Sequence, residues 1–495
     1  MKKFKKLLAL IMAMAMVLGM SVIASAATHG SVHDTRVASV TGNIANADDT
    51  GKITVNGITS GKVTAYRIVS ASYDGGYFKG YTSNVSGMEL GKDEEGCLTI
   101  SKTPAELTAQ IKKGTITGLQ SYDVDVADSG TTELSSLPIG VYIIVVSDVS
   151  DGRVYSPMMG SVYYDPESSN GTAIKATTIS VKYEDGGTVD KTIKTVDSIV
   201  VNGEETTKIG LGSTIGFEIN GTVPAYDMNM YTDPVYTLTD TLSKGLEYVS
   251  GSLAITPNSV RRSDEVVTKN DDGTTTITIT LTADEITALA GKNIQVTYSA
   301  KVTADAEVES DMPNTVELRY STTPGETDTK EDITHQYTFE INGDLTKVDE
   351  DGNQLSDAVF TLYTDEACET PYTRPGSNDP LTATTGNDGD IEFTKIPEGT
   401  YYVKETMAPE GYQITGKVFK VVIDASNNKA NAEVTITDLT ITDPEKAVTN
   451  KVVNTKLSSL PSTGGIGTTI FTIGGCAIMV IAAALFFTSR RRAAK

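Results

Sequence analysis

The sequence contains no tryptophan and only three cysteines among its 495 residues. Cys476 lies in a long apolar run near the carboxyl end, whereas Cys97 and Cys368 are far apart along the chain. Many exported domains depend on a framework of several disulfides, and these cysteines exclude one here. Any covalent reinforcement of this chain must therefore use a different bond.

Histidine is equally scarce, with three residues, His29, His33 and His335. Two of them follow the amino-terminal leader and the third lies in a linker. A Ser-His-Asp or Cys-His arrangement needs a histidine beside its partners, and none can be built convincingly from these three. The sequence also shows no clustered metal ligands, so we expect neither a secreted hydrolase nor a bound metal or cofactor.

Basic residues are outnumbered, with 41 Lys and Arg against 64 Asp and Glu, which gives a net charge of −23. Binding to nucleic acid depends on positive groups that displace counterions from the phosphates. The charge therefore argues against a nucleic-acid partner. It fits a soluble, exported surface protein.

The amino terminus has the composition of a secretory signal peptide. It begins with the basic segment MKKFKK, continues as an apolar run and reaches the small residues Ala24, Ser25 and Ala26. These are the three parts of a signal that is removed on export. We assign residues 1–27 to the signal peptide, with cleavage after Ala26 or one residue later.

An uncharged, mostly apolar run extends from Ile466 to Thr488 near the carboxyl end, and three arginines follow it at 490 to 492. A helix of this length can span a bilayer, and the basic residues would hold the tail in the cytoplasm. The sequence therefore predicts a transmembrane helix over 466–488 that tethers an exported body.

A polar pentamer, Leu460-Pro461-Ser462-Thr463-Gly464, stands directly before this run. Pentamer, apolar span and basic tail in this order resemble the LPxTG sorting signal of Gram-positive surface proteins. The resemblance implies that a sortase cleaves between Thr463 and Gly464, holds Thr463 as a thioester and passes it to an amine. It also implies attachment to peptidoglycan. Residues 457–495 are thus predicted to be a cell-wall sorting signal.

The body of the chain is rich in Thr, Val, Ile and Tyr, with frequent Gly turns. Segments such as GKVTAYRIVS, TTTITITLT and NTVELRYS alternate apolar and polar residues, which is typical of half-buried strands. Only TPAELTAQIKK and TADEITALA indicate short helices, with Thr103 and Thr282 as N-caps. We predict an all-β chain of tandem sandwiches.

Two breaks in the strand pattern divide the body. They are YYDPESSNGTAIKA and YSTTPGETDTKEDITHQ, and they give three predicted domains at 28–176, 177–336 and 337–456. We call these the first, second and third blocks.

Three polar residues of the third block share strand faces with apolar residues. The pairs are Lys347 with Leu345, Glu405 with Val403, and Asn454 with Val452. If the apolar partners point into a core, the polar residues do so too, because side chains alternate along a strand. Buried charges are costly unless they are paired or neutralised.

The motifs around these residues, TKVDEDG and YYVKETMAPEGY, resemble those of the CnaB-type domains of Gram-positive pilins. The resemblance implies that Lys347 condenses with an asparagine on the last strand and that Glu405 promotes the reaction. Asn454 is the expected acceptor, and Asn450, which has the same strand parity, stays open as the alternative. A neutral amine would attack the amide carbonyl and ammonia would leave.

The second block resembles the CnaA-type fimbrial isopeptide domain over most of its length, in VDKTIKT, IGLGSTIGFEINGTVPAYD, YTLTDTLSKGLEY and MPNTVELRYS. The resemblance implies that Lys191 is the nucleophile, Asp240 the promoting acid and Asn314 the acceptor. In the first block, LPIGVYIIVVSD parallels IPEGTYYVKETM of the third, but Val146 occupies the position of the acid. We expect no isopeptide bond there.

The resemblance to pilus shaft subunits also implies an acceptor lysine near the end of the first block, usually in a Tyr-Pro-Lys motif. This chain lacks that motif. Lys182, in TTISVKYEDGG, stands where the family places its acceptor, and Lys175, in AIKA, is the alternative.

Together these features predict tandem immunoglobulin-like sandwiches of the CnaA and CnaB types in a sortase-assembled pilin, the major shaft subunit, which is structural and not an enzyme. Its expected partners are sortases, neighbouring pilin subunits and peptidoglycan. The alternative is a wall-anchored monomeric or pilus-tip adhesin that binds a host surface ligand. The chain has no large inserted binding module, which favours the shaft subunit.

Overall fold

A computed structural model of the chain describes residues 46–93, 98–127, 129–165, 173–197, 199–201, 204–206, 208–260, 262, 266–427, 429–443, 450–457 and 467–492. The predicted signal peptide, the sortase pentamer at 460–464, His29, His33 and Cys97 lie outside the described residues. The chain divides into two compact units. One combines the first block with most of the second, and the other contains the third block together with 197–213 and 306–311.

The first block consists of strands and one helix. The strands are β1 (Thr50–Asn56), β2 (Lys62–Asp74), β3 (Tyr77–Ser83), β4 (Leu90–Lys92), β5 (Leu98–Ile100), β6 (Ser121–Asp125), β7 (Thr131–Pro138), β8 (Gly140–Ser147), β9 (Val154–Tyr155), β10 (Met158–Tyr164), β11 (Ile174–Ala176), β12 (Thr178–Ser180) and β13 (Tyr183–Glu184). Helix α1 (Pro104–Lys112) is capped by Thr103, as predicted, and the side chains of Thr103 and Glu106 form a capping box.

Strand β8 is central to this block. It lies between β2 and β10 in the larger sheet, and its residues are buried on both faces. Tyr142, Ile144 and Val146 pack in one core and Val141, Ile143 and Val145 in another. A strand covered on both faces has no polar alternation, which explains the unbroken apolar run GVYIIVV.

The last strands of the first block extend beyond residue 176. Strand β12 pairs in parallel with β1, so that Val55 faces Ile179. Strand β13 pairs with β9, so that Tyr183 faces Tyr155. Residues up to Glu184 therefore complete sheets that begin in the first block, whereas our predicted boundary falls between β11 and β12. The division into three domains stays a prediction.

The second block forms two facing sheets, β14-β17-β23-β19 and β21-β22-β18-β24-β25, with β20 beside β23 and a separate β15-β16 hairpin. The strands are β14 (Thr188–Val196), β15 (Ile199–Val201), β16 (Glu204–Thr206), β17 (Thr214–Thr222), β18 (Tyr236–Leu242), β19 (Leu246–Tyr248), β20 (Ala254–Thr256), β21 (Val267–Lys269), β22 (Thr275–Thr280), β23 (Asn293–Val302), β24 (Asn314–Thr323) and β25 (Glu326–Thr334). Helix α2 (Ala283–Ala288) is capped by Thr282, as predicted.

The third block has its own apolar core. Its strands are β26 (Phe339–Ile341), β27 (Thr346–Asp349), β28 (Val359–Tyr363), β29 (Thr382–Thr384), β30 (Phe393–Ile396), β31 (Gly399–Met407), β32 (Tyr412–Gln413), β33 (Val418–Asp424), β34 (Glu433–Asp438) and β35 (Lys451–Lys456). The block contains the five-stranded sheet β29-β28-β31-β33-β34 and the three-stranded sheet β27-β35-β32. In the smaller sheet, β27 and β35 run parallel. The predicted all-β architecture is confirmed.

Helix α3 (Gly467–Arg492) follows the third block. Within the part of the chain that the structure describes, no helix qualifies by length and apolarity as a membrane span.

Candidate functional site: two buried clusters of lysine, acid and asparagine

The second block brings its three predicted residues together between its two sheets. Lys191 lies on β14 of one sheet, whereas Asp240 on β18 and Asn314 at the start of β24 belong to the other. Asp240 pairs with Val316, two residues after Asn314, so the acid and the asparagine are diagonal neighbours on one face. A lysine from one sheet thus meets an acid and an amide from the other.

A fourth residue, Tyr298 on β23, completes what we call the Lys191 cluster (Lys191, Asp240, Tyr298 and Asn314). Lys191 Nζ forms an ion pair with Asp240 Oδ1 and donates a hydrogen bond of 3.1 Å to the Tyr298 hydroxyl. Asn314 Nδ2 donates to the same hydroxyl at 2.6 Å, which in turn donates to Asp240 Oδ2. The tyrosine hydroxyl therefore touches all three predicted residues.

The interior position of this cluster changes its electrostatics. Lys191 is 4% exposed and Asp240 2%, and the rings of Phe217 and Tyr298 lie 5.3 and 5.4 Å from the lysine nitrogen. Burial lowers the pKa of Lys191, against the attraction of Asp240, and raises the pKa of Asp240, against that of Lys191. Both shifts favour a neutral amine beside a protonated acid.

The third block contains a second group, the Lys347 cluster (Lys347, Glu405 and Asn454). Lys347 on β27 and Asn454 on β35 come from neighbouring parallel strands, in which Lys347 pairs with Val452. Glu405 projects from β31 of the other sheet. The sequence places them in this way because each residue shares its strand face with core residues.

Glu405 connects the members of the Lys347 cluster directly. Its Oε1 lies 3.7 Å from Lys347 Nζ and accepts a hydrogen bond of 2.8 Å from Asn454 Nδ2. Its Oε2 accepts from the backbone N–H of Thr415 at 2.7 Å, while Lys347 Nζ also donates to the carbonyl of Val452. Burial lowers the pKa of Lys347 to about 8, against the opposing effect of Glu405.

The acceptor carbonyl is unsatisfied in both clusters. Asn314 Oδ1 and Asn454 Oδ1 are buried and have no hydrogen-bond partner among the described residues. An unpaired buried carbonyl costs about 1–3 kcal/mol, and native proteins contain few of them. The same unsatisfied carbonyl therefore occurs at the asparagine of both clusters.

Asn450, the alternative acceptor in the third block, lies elsewhere. It is exposed, and its backbone carbonyl accepts a hydrogen bond from Thr346 at 2.7 Å. The structure therefore brings Asn454, and not Asn450, beside Glu405.

The first block has aliphatic residues where the third block has its cluster. Its β1-β12 pair is parallel, as is β27-β35; Val55 is opposite Ile179 in the first, and Lys347 is opposite Val452 in the second. Val146 is buried beside them in the same core. The first and third blocks still share a local feature. The hydroxyls of Tyr142 and Tyr401 each donate a hydrogen bond to the carbonyl of the proline four residues earlier. The fold is thus repeated without the polar groups.

The two candidate acceptor lysines differ in their surroundings. Lys182 is exposed and follows β12, and its backbone carbonyl accepts from Ser156 at 2.9 Å. Lys175, on β11, is also exposed but pairs through Nζ with Asp165 at 3.0 Å. The segment at Lys182 is therefore held by its backbone, whereas Lys175 has its amine engaged.

Tyr298 is the member that sequence reasoning missed. The segment NIQVTYSAKV alternates, and it places Tyr298 on the core face with Val296 and Ala300. A buried tyrosine hydroxyl usually has a hydrogen-bond partner. That rule was the available signal, although alternation alone could not show that the partners would be Lys191, Asp240 and Asn314.

Two family models match the carboxyl-terminal part of the chain. The SpaA family, described as a prealbumin-like fold domain, matches residues 342–440, which include Lys347 and Glu405. The LPXTG cell wall anchor motif matches residues 452–494, which include Asn454 and the pentamer.

Relatives and solved structures extend the similarity. The trypsin-resistant surface T6 protein of Streptococcus pyogenes serotype M6 is 24% identical over 90% of this chain and 96% of its own length. Fimbrial subunit type 2 of Actinomyces naeslundii is 28% identical over 58% of each chain.

Among solved structures, the three-domain T6 backbone pilin of Streptococcus pyogenes has a TM-score of 0.62 at 20% identity, covering 84% of this chain and 100% of that one. The full-length major pilin SpaD of Corynebacterium diphtheriae has a TM-score of 0.50 at 16% identity, covering 84% and 99%. With the all-β fold, the SpaA domain and the wall anchor, these similarities place the chain among the sortase-assembled pilins of Gram-positive bacteria, as a structural subunit of a wall-anchored surface pilus.

Proposed function

We propose that this pilin is the shaft subunit of a covalent polymer and that two internal isopeptide bonds, Lys191–Asn314 and Lys347–Asn454, reinforce it. The observation that carries the proposal is the recurrence of one arrangement. In both clusters a buried lysine amine, a carboxyl and an asparagine amide meet, and the amide carbonyl has no partner among the described residues.

The chemistry follows from burial and position. An amine whose pKa is lowered can be neutral, and only the neutral form attacks a carbonyl. Asp240 or Glu405 would polarise the asparagine and move protons, as a general acid and base. The fixed geometry of facing strands supplies the effective concentration. Ammonia leaves and an amide remains, so the chain is stapled without disulfides and acts on no external substrate.

Polymerisation would use two residues outside the clusters, Thr463 and Lys182. A sortase would cleave after Thr463 and transfer it to Lys182 of the next subunit. Lys182 is favoured over Lys175 because the amine of Lys175 is paired with Asp165. Such a contact is heterologous, and repeated contacts of this kind give an open filament.

The path of tension follows from these positions. The chain between Lys182 and Thr463 includes the second and third blocks, whereas the first block precedes Lys182 in sequence. The two proposed bonds fall in the segments that would carry tension, and the first block, with Val146, falls outside them. One relative is named for its resistance to trypsin, and we propose the same property for this chain.

Immunoblotting of cell-wall extracts separates a shaft subunit from an adhesin. A shaft subunit should give a ladder of high-mass bands that survives boiling in detergent and reductant. A single band near the mass of one chain would indicate a monomeric, wall-anchored adhesin and would contradict the shaft assignment.

The lowered pKa of Lys347 gives a pH prediction for a variant that cannot form the third-block bond. In Asn454→Ala the amine stays free, with a folded pKa of about 8 against 10.5 for an ordinary lysine. Between these values the unfolded chain binds the extra proton, so the free energy of unfolding should rise with pH, by about 2–3 kcal/mol. Below pH 8 both states are protonated and the gain is absent.

Denaturant unfolding of the third block at pH 7.5 and pH 10 would measure this rise. The double variant Asn454→Ala with Lys347→Met is the matched control, because it removes the titrating amine. The wild-type protein should resemble the control, since its bonded lysine no longer titrates. An equal pH response in all three proteins would contradict a free, buried amine in the single variant.

A further inference from the structure

The two clusters differ in how the acid reaches the asparagine. In the Lys347 cluster, Glu405 Oε1 contacts Asn454 Nδ2 directly at 2.8 Å. In the Lys191 cluster the acid is an aspartate, which is one methylene shorter. Among the hydrogen bonds of the described residues, none joins Asp240 to Asn314; the Tyr298 hydroxyl stands between them and bonds to both.

Tyr298 is held in place by its ring. It stacks on Phe217, with ring centroids 5.4 Å apart and planes inclined by 28°, and its strand β23 is central in the sheet that carries Lys191. Tyr248 also lies against it, at 6.2 Å. The hydroxyl therefore has a fixed position, within hydrogen-bond distance of both reacting nitrogens, Lys191 Nζ and Asn314 Nδ2.

We propose that Tyr298 is a catalytic residue of bond formation in the second block, where it relays a proton from Asp240 to the departing nitrogen of Asn314. This inference rests on the Lys191–Asn314 bond proposed above. The third block needs no such residue, because the longer Glu405 side chain makes the same connection alone.

In the first step Lys191 Nζ gives a proton to the Tyr298 hydroxyl, which passes its own to Asp240 Oδ2, so that the amine becomes neutral and the acid protonated. Lys191 Nζ then bonds to Cγ of Asn314 as the carbonyl electrons move to Oδ1. Nζ gives one proton to Asp240 Oδ1, Asp240 Oδ2 gives one to Tyr298, and Tyr298 gives its own to Nδ2. The Cγ–Nδ2 bond breaks, ammonia leaves with the electron pair, and the carbonyl re-forms. Asp240 keeps the second proton from Nζ and gives it to the departing ammonia, which leaves as ammonium, so that Asp240 returns to a carboxylate and Tyr298 to a phenol.

The properties of the phenol suit this role. A tyrosine hydroxyl can donate and accept at once, so the direction of the hydrogen-bond chain can reverse during the reaction. Burial raises the pKa of Tyr298 well above its ordinary value. The hydroxyl thus keeps its proton and transfers it only as another arrives.

The test is the rate of bond formation in the full-length chain, made by cell-free synthesis and sampled over time. Each bond is followed by digestion and mass spectrometry as a cross-linked peptide that is about 17 Da lighter than the sum of its parts, the mass of the released ammonia. The Lys347–Asn454 bond in the same molecule serves as the internal reference.

Tyr298→Phe keeps the ring and removes the hydroxyl. We expect the Lys191–Asn314 bond to form on the order of a hundredfold more slowly, as for the loss of a general acid, with the Lys347–Asn454 rate unchanged. Tyr236→Phe is the matched control. Tyr236 is fully buried on the strand that carries Asp240, and its hydroxyl has no hydrogen-bond partner among the described residues.

The double variant Tyr298→Phe with Asp240→Glu tests whether the hydroxyl acts through proton transfer. The longer acid should reach Asn314 itself, as Glu405 reaches Asn454. We expect the Lys191–Asn314 bond to form at least about tenfold faster in the double variant than in Tyr298→Phe alone. A wild-type rate in Tyr298→Phe, or a double variant no faster than the single one, would overturn the proposal. Absence of the second-block bond in the wild-type chain would instead refute the proposed bond itself.

Discussion

Replacement of Lys182 by alanine is expected to collapse the pilus ladder to monomer. The proposed polymer has one intermolecular bond per subunit, from Thr463 to Lys182, and alanine offers no amine to the sortase thioester. Immunoblots of wall extracts from cells that express the variant would show the change. Lys175→Ala is the matched control, because Lys175 lies seven residues earlier in the chain, on β11, and is also exposed, and its ladder should be unchanged.

The internal bonds should form normally in Lys182→Ala, because Lys182 belongs to neither cluster. A ladder that persists in this variant and disappears in Lys175→Ala would transfer the acceptor role to Lys175. A ladder that persists in both would remove the basis of the shaft assignment in this sequence.

Loss of either internal bond is expected to destabilise its own block strongly. Each bond would close a loop of roughly 100 residues, and a disulfide across such a loop restricts the unfolded chain by about 4–5 kcal/mol. Asn314→Ala and Asn454→Ala should therefore lower the melting temperature of the second and third blocks by about 10–20 °C. Calorimetry of the two variants and the wild-type protein would measure the shifts.

Proteolysis separates this effect from that of a disulfide. Trypsin should cleave both variants far faster than the wild-type protein, and a reductant should make no difference to any of the three. Asn450→Ala is the control for the third block, since Asn450 is exposed and outside the cluster. Unchanged resistance in Asn454→Ala, with loss of resistance in Asn450→Ala, would assign the bond to Asn450.

Strand alternation, helix caps and the family resemblance together were sufficient to predict the all-β fold, both short helices and every residue of the two clusters except Tyr298. Alternation fixes which residues share a face, and a lysine, an acid and an amide in core positions require one another as partners. Counting from the proline placed Val146 at the position of Glu405, and Val146 lies in the core of the first block.

Other features depend on contacts that alternation does not specify. Strand β12 joins β1 from more than a hundred residues away, so its assignment to the first block needed the pairing of Val55 with Ile179. Tyr298 comes from a fourth strand, β23, and its role depends on whether the short Asp240 side chain can contact Asn314 directly. Which of two asparagines enters the Lys347 cluster depended on the exact register of β35, which pairs Asp349 with Asn454.

The mass of the mature body tests the central claim most directly. Two condensations release two molecules of ammonia, so intact mass spectrometry of residues 28–456 should give a value about 34 Da below the sequence mass. Asp240→Ala and Glu405→Ala should each restore about 17 Da beyond the change due to the substitution itself. A deficit of two ammonia molecules, with none from the first block, is the result that we predict. A wild-type mass equal to the sequence mass would contradict both bonds.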